Sequence, residues 1–142
     1  MKKHQLHKIY IIVIISIACL CLVLSVSIFN NVDTSKRDTE KHFTINELIL
    51  EHKRETFKKF IEKAIEIEGT IKEVTYKNNK YTVILSEENY NTLILCEMQT
   101  DQNQKIVKLN VGEKTKIKGI LKGVLMDVIV LNCIILEPKI HE

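Results

Sequence analysis

Near its C-terminal end the chain reads Thr115-Lys-Ile-Lys-Gly-Ile-Leu-Lys-Gly-Val-Leu-Met-Asp-Val-Ile-Val-Leu-Asn-Cys-Ile-Ile-Leu136. Two apolar stretches flank a segment marked by Gly119, Gly123 and Asp127, the pattern of a β-hairpin. The second stretch is apolar on both faces. A strand half-exposed to water alternates apolar and polar residues. One that is apolar throughout must be covered on both sides, as when it closes a small barrel.

Three further strands precede the hairpin. Residues 64–75 alternate, with Ile65, Ile67, Gly69 and Ile71 on one side and Glu66, Glu68, Thr70 and Lys72 on the other. Lys77-Asn-Asn-Lys80 has the composition of a tight hairpin turn. Residues 81–85 return with Tyr81, Val83 and Leu85 on one face, and residues 93–98 form the third strand. Residues 100–110 are a polar connector with room for a short helix. Three meandering strands, a connector and a closing hairpin are the order of the five-stranded OB barrel. Gly69 and Gly119, inside strands, mark places where a missing side chain permits a sharp bend.

Residues 46–136 resemble the tRNA_anti-like (tRNA-anticodon-like) OB-fold family of bacterial proteins. The resemblance rests on Ile65-Glu-Ile-Glu-Gly-Thr-Ile71, Leu93-Ile-Leu-Cys96, Val111-Gly-Glu-Lys-Thr-Lys-Ile-Lys-Gly119 and the stretch from Gly123 through Asp127-Val-Ile-Val-Leu-Asn-Cys133. Leu121 departs from it, because many members carry Cys between the two glycines. The resemblance implies an OB fold. It implies nucleic-acid binding only through remote likeness of fold, and it brings no catalytic residues; fold does not fix function.

The other end of the chain is different in kind. Ile9 to Phe29 is a 21-residue run without a charge, about 30 Å long as a helix and matched to one hydrocarbon core. Lys2, Lys3 and Lys8 precede it, which predicts a cytoplasmic N-terminus (residues 1–8), a transmembrane anchor (9–29) and a domain outside the cytoplasm. A cleaved signal peptide ending near Ser25-Val-Ser27 is the competing reading, but the apolar run is long for one. A lipid-modified Cys19 would need an aliphatic residue three places upstream, where Ser16 stands. All three readings export the domain.

Those lysines account for the formal charge of +3. Everything beyond the run balances, with as many basic residues as the 18 acidic ones. Nucleic-acid-binding domains usually carry a basic excess, so neutrality argues against that class. Residues 30–42 read as a polar linker. Residues 43–62 read as an amphipathic helix opened by the capping box Thr44-Ile-Asn-Glu47, with Phe43 and Leu48 as a hydrophobic staple. The barrel occupies residues 63–138. The expected fold is thus mainly β: a five-stranded OB-fold barrel preceded by an amphipathic helix and an N-terminal transmembrane helix.

Three sets of residues are candidates for function. Tyr81, with Lys77 and Lys122, lies where OB domains take ligands, near the face of the second and third strands and the loops of the first and last hairpins. Tyr81 either stacks on a ligand or is half core with its hydroxyl in water, the commoner role of such a residue. Lys114, Lys116 and Lys118 alternate on the fourth strand and form either a phosphate-tracking stripe or cross-strand pairs with Glu66 and Glu68, the favoured reading. Cys96 and Cys133, on neighbouring strands, are candidates for a disulfide or for buried thiols.

No Cys-x-x-Cys, His-Glu-x-x-His, phosphate loop or nucleophile elbow occurs. Asp127 reads as a turn former. The expectation is a non-enzymatic module without metal or cofactor, bound to the membrane through its N-terminal helix. It would bind a protein, a saccharide or a small ligand. The alternatives are a single-stranded nucleic-acid binder and a structural homo-oligomer built on the helix.

Overall fold

A computed structural model describes residues 10–21 and 33–136 of the 142-residue chain. Residues 10–21 are helical and exposed. Among the described residues no helix is long and apolar enough to cross a membrane. Ile9 and residues 22–29 of the expected anchor lie outside the described residues, as do residues 1–8 and 30–32. The chain divides into two units, Met1–Val32 and Asp33–Glu142. The second carries the barrel.

Six strands form that unit's sheet: β1 (Lys41–Thr44), β2 (Ala64–Lys77), β3 (Lys80–Ser86), β4 (Ile94–Met98), β5 (Lys114–Val124) and β6 (Val128–Leu136). Their order is β1-β2-β3-β4-β6-β5, and β2 also pairs with β5, which closes strands β2–β6 into a five-stranded barrel. The 14-residue β2 makes closure possible. Its first half pairs with β5 (Ala64 to Ile120 through Thr70 to Lys114) and its second half with β3. Thr70 pairs with both, and a register shift in the β3 ladder between Ile71 and Glu73 follows just past the last residue paired with β5. A bulge there adds local twist and lets one strand serve two neighbours. The β4–β6 pair is parallel and all other barrel pairs are antiparallel.

Alternation fills the interior. Ile65, Ile67, Val83, Leu85, Ile94, Cys96, Ile117, Leu121, Val128, Val130 and Cys133 are wholly buried. The β2–β3 turn places Asn78 and Asn79 at φ 52° and 64°. Tight two-residue hairpin turns need two left-handed residues, and asparagine adopts that conformation more readily than most.

Two expectations are corrected. The helix expected over 43–62 is two pieces, an α-helix at Ile45–His52 and a 3-10 helix at Glu55–Phe60. Arg54 between them is extended, at φ −104° and ψ 147°. Three residues per turn in the second piece puts Phe57 and Phe60 on one face, and both are buried. The capping box forms as expected: Thr44 N–H donates to Glu47 Oε2 (2.8 Å), and Glu47 N–H to the Thr44 hydroxyl (3.3 Å). Phe43 and Leu48 are both wholly buried.

The linker expected over 30–42 is, from Asp33 on, a strap bound to the barrel. Buried Thr34 donates its hydroxyl to Asn132 O (2.7 Å), Glu40 N–H donates to Ala64 O (2.8 Å), and Thr39 donates to Glu66 Oε1 (2.7 Å). Its last residues form β1, parallel to β2 with Phe43 opposite Ile67. Backbone polar groups cannot stay unpaired against a core, so a polar segment that packs there enters the hydrogen-bond pattern.

The two strand glycines serve close approach. A Cβ on Gly69 would lie 2.3 Å from Ile45 Cδ1, and one on Gly119 would lie 2.5 Å from Val130 Cγ1. The Ile45–His52 helix thus rests on the barrel at Gly69.

Candidate binding face

Because Val83, Leu85, Ile94 and Cys96 point inward, their neighbours face out. Thr82 stands opposite Glu97, and Ile84 opposite Leu95. Leu95 stands opposite Ile129 across the parallel pair, and Ile129 opposite Gly123 on β5. Ile84, Leu95 and Ile129 therefore form a half-buried apolar row across β3, β4 and β6 on the outside of the barrel. Glu73, opposite Ile84, and the pair Lys80 Nζ to Glu97 Oε1 (2.5 Å) border it.

The β5–β6 turn borders the row at the β6 end. Leu125 and Met126 at its tip are 86% and 89% exposed. Asp127 holds the tip in place: Leu93 N–H donates to its Oδ1 (2.9 Å) and Leu125 N–H to its carbonyl (3.2 Å). Val128 N–H donates to Leu93 O (3.0 Å). Asp127 is therefore the turn-forming residue that its position suggests, and it also ties the last hairpin to the start of β4.

Tyr81 stands on the other side of β3. It alternates with Thr82, packs partly against the core and faces Tyr76 at the end of the first hairpin, with ring centroids 4.6 Å apart. Tyr76 donates its hydroxyl to Asn79 Oδ1 (2.6 Å). Lys77 is exposed beside that turn. Lys122 is held by the Glu62 carboxylate at 2.8 and 3.0 Å. The structure does not bring Tyr81, Lys77 and Lys122 together on the apolar row.

The three lysines of β5 meet three different surroundings. Lys114 is exposed. Lys116 lies opposite Glu68 and pairs with it at 3.6 Å. Lys118 lies opposite Glu66 but is only 8% exposed, and its Nζ donates to the Arg37 carbonyl of the strap. His42 of β1 lies 3.7 Å from Glu66 and 3.8 Å from Glu68. Pairs as exposed as Lys116–Glu68 contribute about 0.2–1 kcal/mol, so they tune the surface rather than hold the fold. The strap uses the middle of this row as an internal anchor.

Cys96 and Cys133 are both wholly buried thiols. Burial pushes the Cys133 thiol well above its ordinary pKa, and the adjoining Cys96 thiol adds to the effect. Among the described residues no group of three or more His, Cys, Asp or Glu side chains is placed to hold a metal ion.

The family model for tRNA_anti-like proteins matches residues 1–135. The chain belongs to the tRNA_anti-like family. The match takes in the apolar N-terminal run as well as the barrel of this tRNA_anti-like protein. No curated protein sequence matches. Among solved structures, a candidate nucleic acid-binding lipoprotein from Klebsiella pneumoniae is similar over 68% of this chain and 91% of its own, with 13% identity and a TM-score of 0.58. The Stn1–Ten1 complex of S. pombe is similar over 53% and 59%, with 11% identity and a TM-score of 0.43. An OBody bound to hen egg-white lysozyme is similar over 55% and 85%, with 12% identity and a TM-score of 0.46. The first similarity speaks for the fold alone.

Sequence reasoning missed the apolar row, because the inward face of β3, with Tyr81, Val83 and Leu85, dominates the alternation. The complementary positions Thr82, Ile84 and Ser86 were the signal. In a barrel strand they belong to the outside, where an isoleucine is the unexpected residue.

Proposed function

We propose that this chain is a membrane-anchored, non-catalytic binding module of the bacterial envelope, and that a protein partner docks on the outer face of β3, β4 and β6. The observation that carries this reading is the apolar row Ile84–Leu95–Ile129 beside the bare tip Leu125–Met126. Exposed apolar surface bordered by polar groups favours a partner that brings apolar surface of its own. The bordering charges, Glu73 and the Lys80–Glu97 pair, offer no row of free cations for a phosphate backbone. The uncharged run from Ile9 to Phe29 behind Lys2, Lys3 and Lys8 supports the anchor and the outward orientation.

The test uses the full chain in mild detergent, tagged after Glu142 and incubated with an envelope extract. A partner retained by the parent chain is lost from the Leu125→Asp/Met126→Asp variant, whose stability stays within about 0.5 kcal/mol because both side chains are exposed. A parent chain that retains no protein refutes the reading, whether or not it binds a cell-wall fragment. The second reading, a single-strand nucleic-acid binder, draws on the fold shared with the Klebsiella protein. It predicts that a labelled single-stranded oligonucleotide binds with an affinity that falls steeply with salt.

A further inference from the structure

Along β6 the side chains of Val128 and Val130 enter the core. In an unbroken strand, Cys133 would then point out of the barrel, because it stands an odd number of residues from Val130. Asn132 prevents this. It is left-handed at φ 54°, and the registers with both neighbours slip here, from Cys96 opposite Val130 to Met98 opposite Cys133 and from Ile120 opposite Leu131 to Lys118 opposite Ile134. The bulge uses one extra residue and turns Cys133 inward.

Its thiol then reaches back along its own strand, donating to Val130 O at 3.4 Å. Val130 is the register partner of Cys96, whose side chain enters the same core from β4. Gly119 on β5 completes the seat: a Cβ there would lie 2.6 Å from Cys133 Sγ. Two thiols from adjacent parallel strands are thus aimed at one point in a closed interior.

We infer that Cys96 and Cys133 are a disulfide site that ties β4 to β6 when the chain folds in the presence of a small-molecule disulfide. One cysteine thiolate attacks a sulfur of glutathione disulfide, forming a mixed disulfide and releasing one glutathione thiolate. The second cysteine attacks the bonded protein sulfur and displaces the other glutathione. The Cys96–Cys133 bond forms, the two protein thiols lose two protons and two electrons, and the disulfide is reduced to two glutathione thiols. The order of events follows from burial. Attack requires a thiolate, and a wholly buried thiol with a raised pKa supplies almost none. The bond forms before the core closes, and a barrel already closed with free thiols resists oxidation.

The test uses the full chain in detergent with Cys19→Ser and Cys21→Ser, which leaves only this pair. The reduced, urea-unfolded chain is refolded with glutathione disulfide, alkylated in denaturant and digested with trypsin without reduction. The expected product is peptide 81–105 linked to peptide 123–139, lighter than the two free peptides by two hydrogens. A second sample held in moderate urea with the same oxidant reads the pair through transient opening, so linkage is seen even where refolding fails. Recovery of both peptides unlinked from both samples overturns the inference. A third sample, folded while reduced and then given the oxidant without urea, is expected to stay unlinked. Rapid linkage there overturns the proposed order of events.

Discussion

Gly69→Ala is the sharpest test of how the helix meets the barrel. The added methyl would sit 2.3 Å from Ile45 Cδ1, 2.8 Å from Ile45 Cγ1 and 3.4 Å from Leu85 Cβ. Ile45 is wholly buried and has no solvent to retreat into, so the cost falls at the upper end for overpacking, about 3 kcal/mol. Ile45→Ala removes both clashing atoms and leaves a cavity, costing about 3 kcal/mol on its own. In the double variant the methyl added at position 69 enters that cavity. The two losses then partly cancel, and the total is about 4 kcal/mol rather than about 6. The assay is urea unfolding of the full chain in mild detergent, followed by circular dichroism. Each single variant lowers the midpoint by about 2 M at the slope usual for a domain of this size. Additivity within about 0.5 kcal/mol would show that the helix does not rest on Gly69.

Thr44→Ala removes the hydroxyl that accepts from Glu47 N–H and costs about 1 kcal/mol in the same unfolding assay. The Thr44 backbone N–H, and after it the hydroxyl, hold the Glu47 carboxyl below its ordinary 4.5. This contribution is complete above pH 4.5 and is lost as the pH falls through the lower folded value, so Glu47→Gln flattens the acid limb of a plot of urea midpoint against pH. Lys118→Ala withdraws the donor to the Arg37 carbonyl and frees the strap: trypsin cuts after Arg37 several-fold faster than in the parent, and equal rates would deny the strap its anchor. The bridged chain, whose Cys96–Cys133 bond closes a loop of about 38 residues, is more stable than its reduced form by roughly 4 kcal/mol in the chain-entropy account, read as the difference in urea midpoint with and without reductant.

The strands were legible because their signal is local. A two-residue period survives in β2 and β3, and β6 betrays its double coverage by having almost no polar residue. The β2–β5 closure was legible for a different reason: once five strands are assigned an OB order, the partners follow, and Glu68 meets Lys116 as that order requires. Two elements were not legible. β1 has four residues with a single apolar side chain, Phe43, and its strand character comes from the edge of β2 that it pairs with. The break after His52 depends on the extended Arg54, where the helix needs to end so that Phe57 and Phe60 can reach the core; Phe60 meets Phe43 edge to face at 5.2 Å. Helical spacing alone cannot separate one long α-helix from an α-helix followed by a 3-10 turn. The binding face was hidden for want of context, because an outward isoleucine on β3 gains meaning only beside Leu95 and Ile129, which other strands supply.

The bulge at Asn132 shows how one backbone irregularity joins these levels. Its left-handed residue turns Cys133 toward Cys96 on the inside of the barrel. On the outside, the Asn132 carbonyl receives the hydroxyl of buried Thr34, and Gln99 Nε2 donates to that same hydroxyl oxygen at 3.3 Å. Gln99 directly follows β4, so the strap, β4 and β6 are tied at one place from both sides of the wall. A regular β6 would keep its ladder bonds to β4 and β5. It would aim Cys133 outward and use in those ladders the carbonyl that now holds Thr34. An asparagine in a strand otherwise nearly all apolar is the residue one would ordinarily remove to improve β propensity. Here a branched side chain would resist the left-handed backbone, and regularising the strand would cost the barrel both its thiol seat and the anchor of its strap.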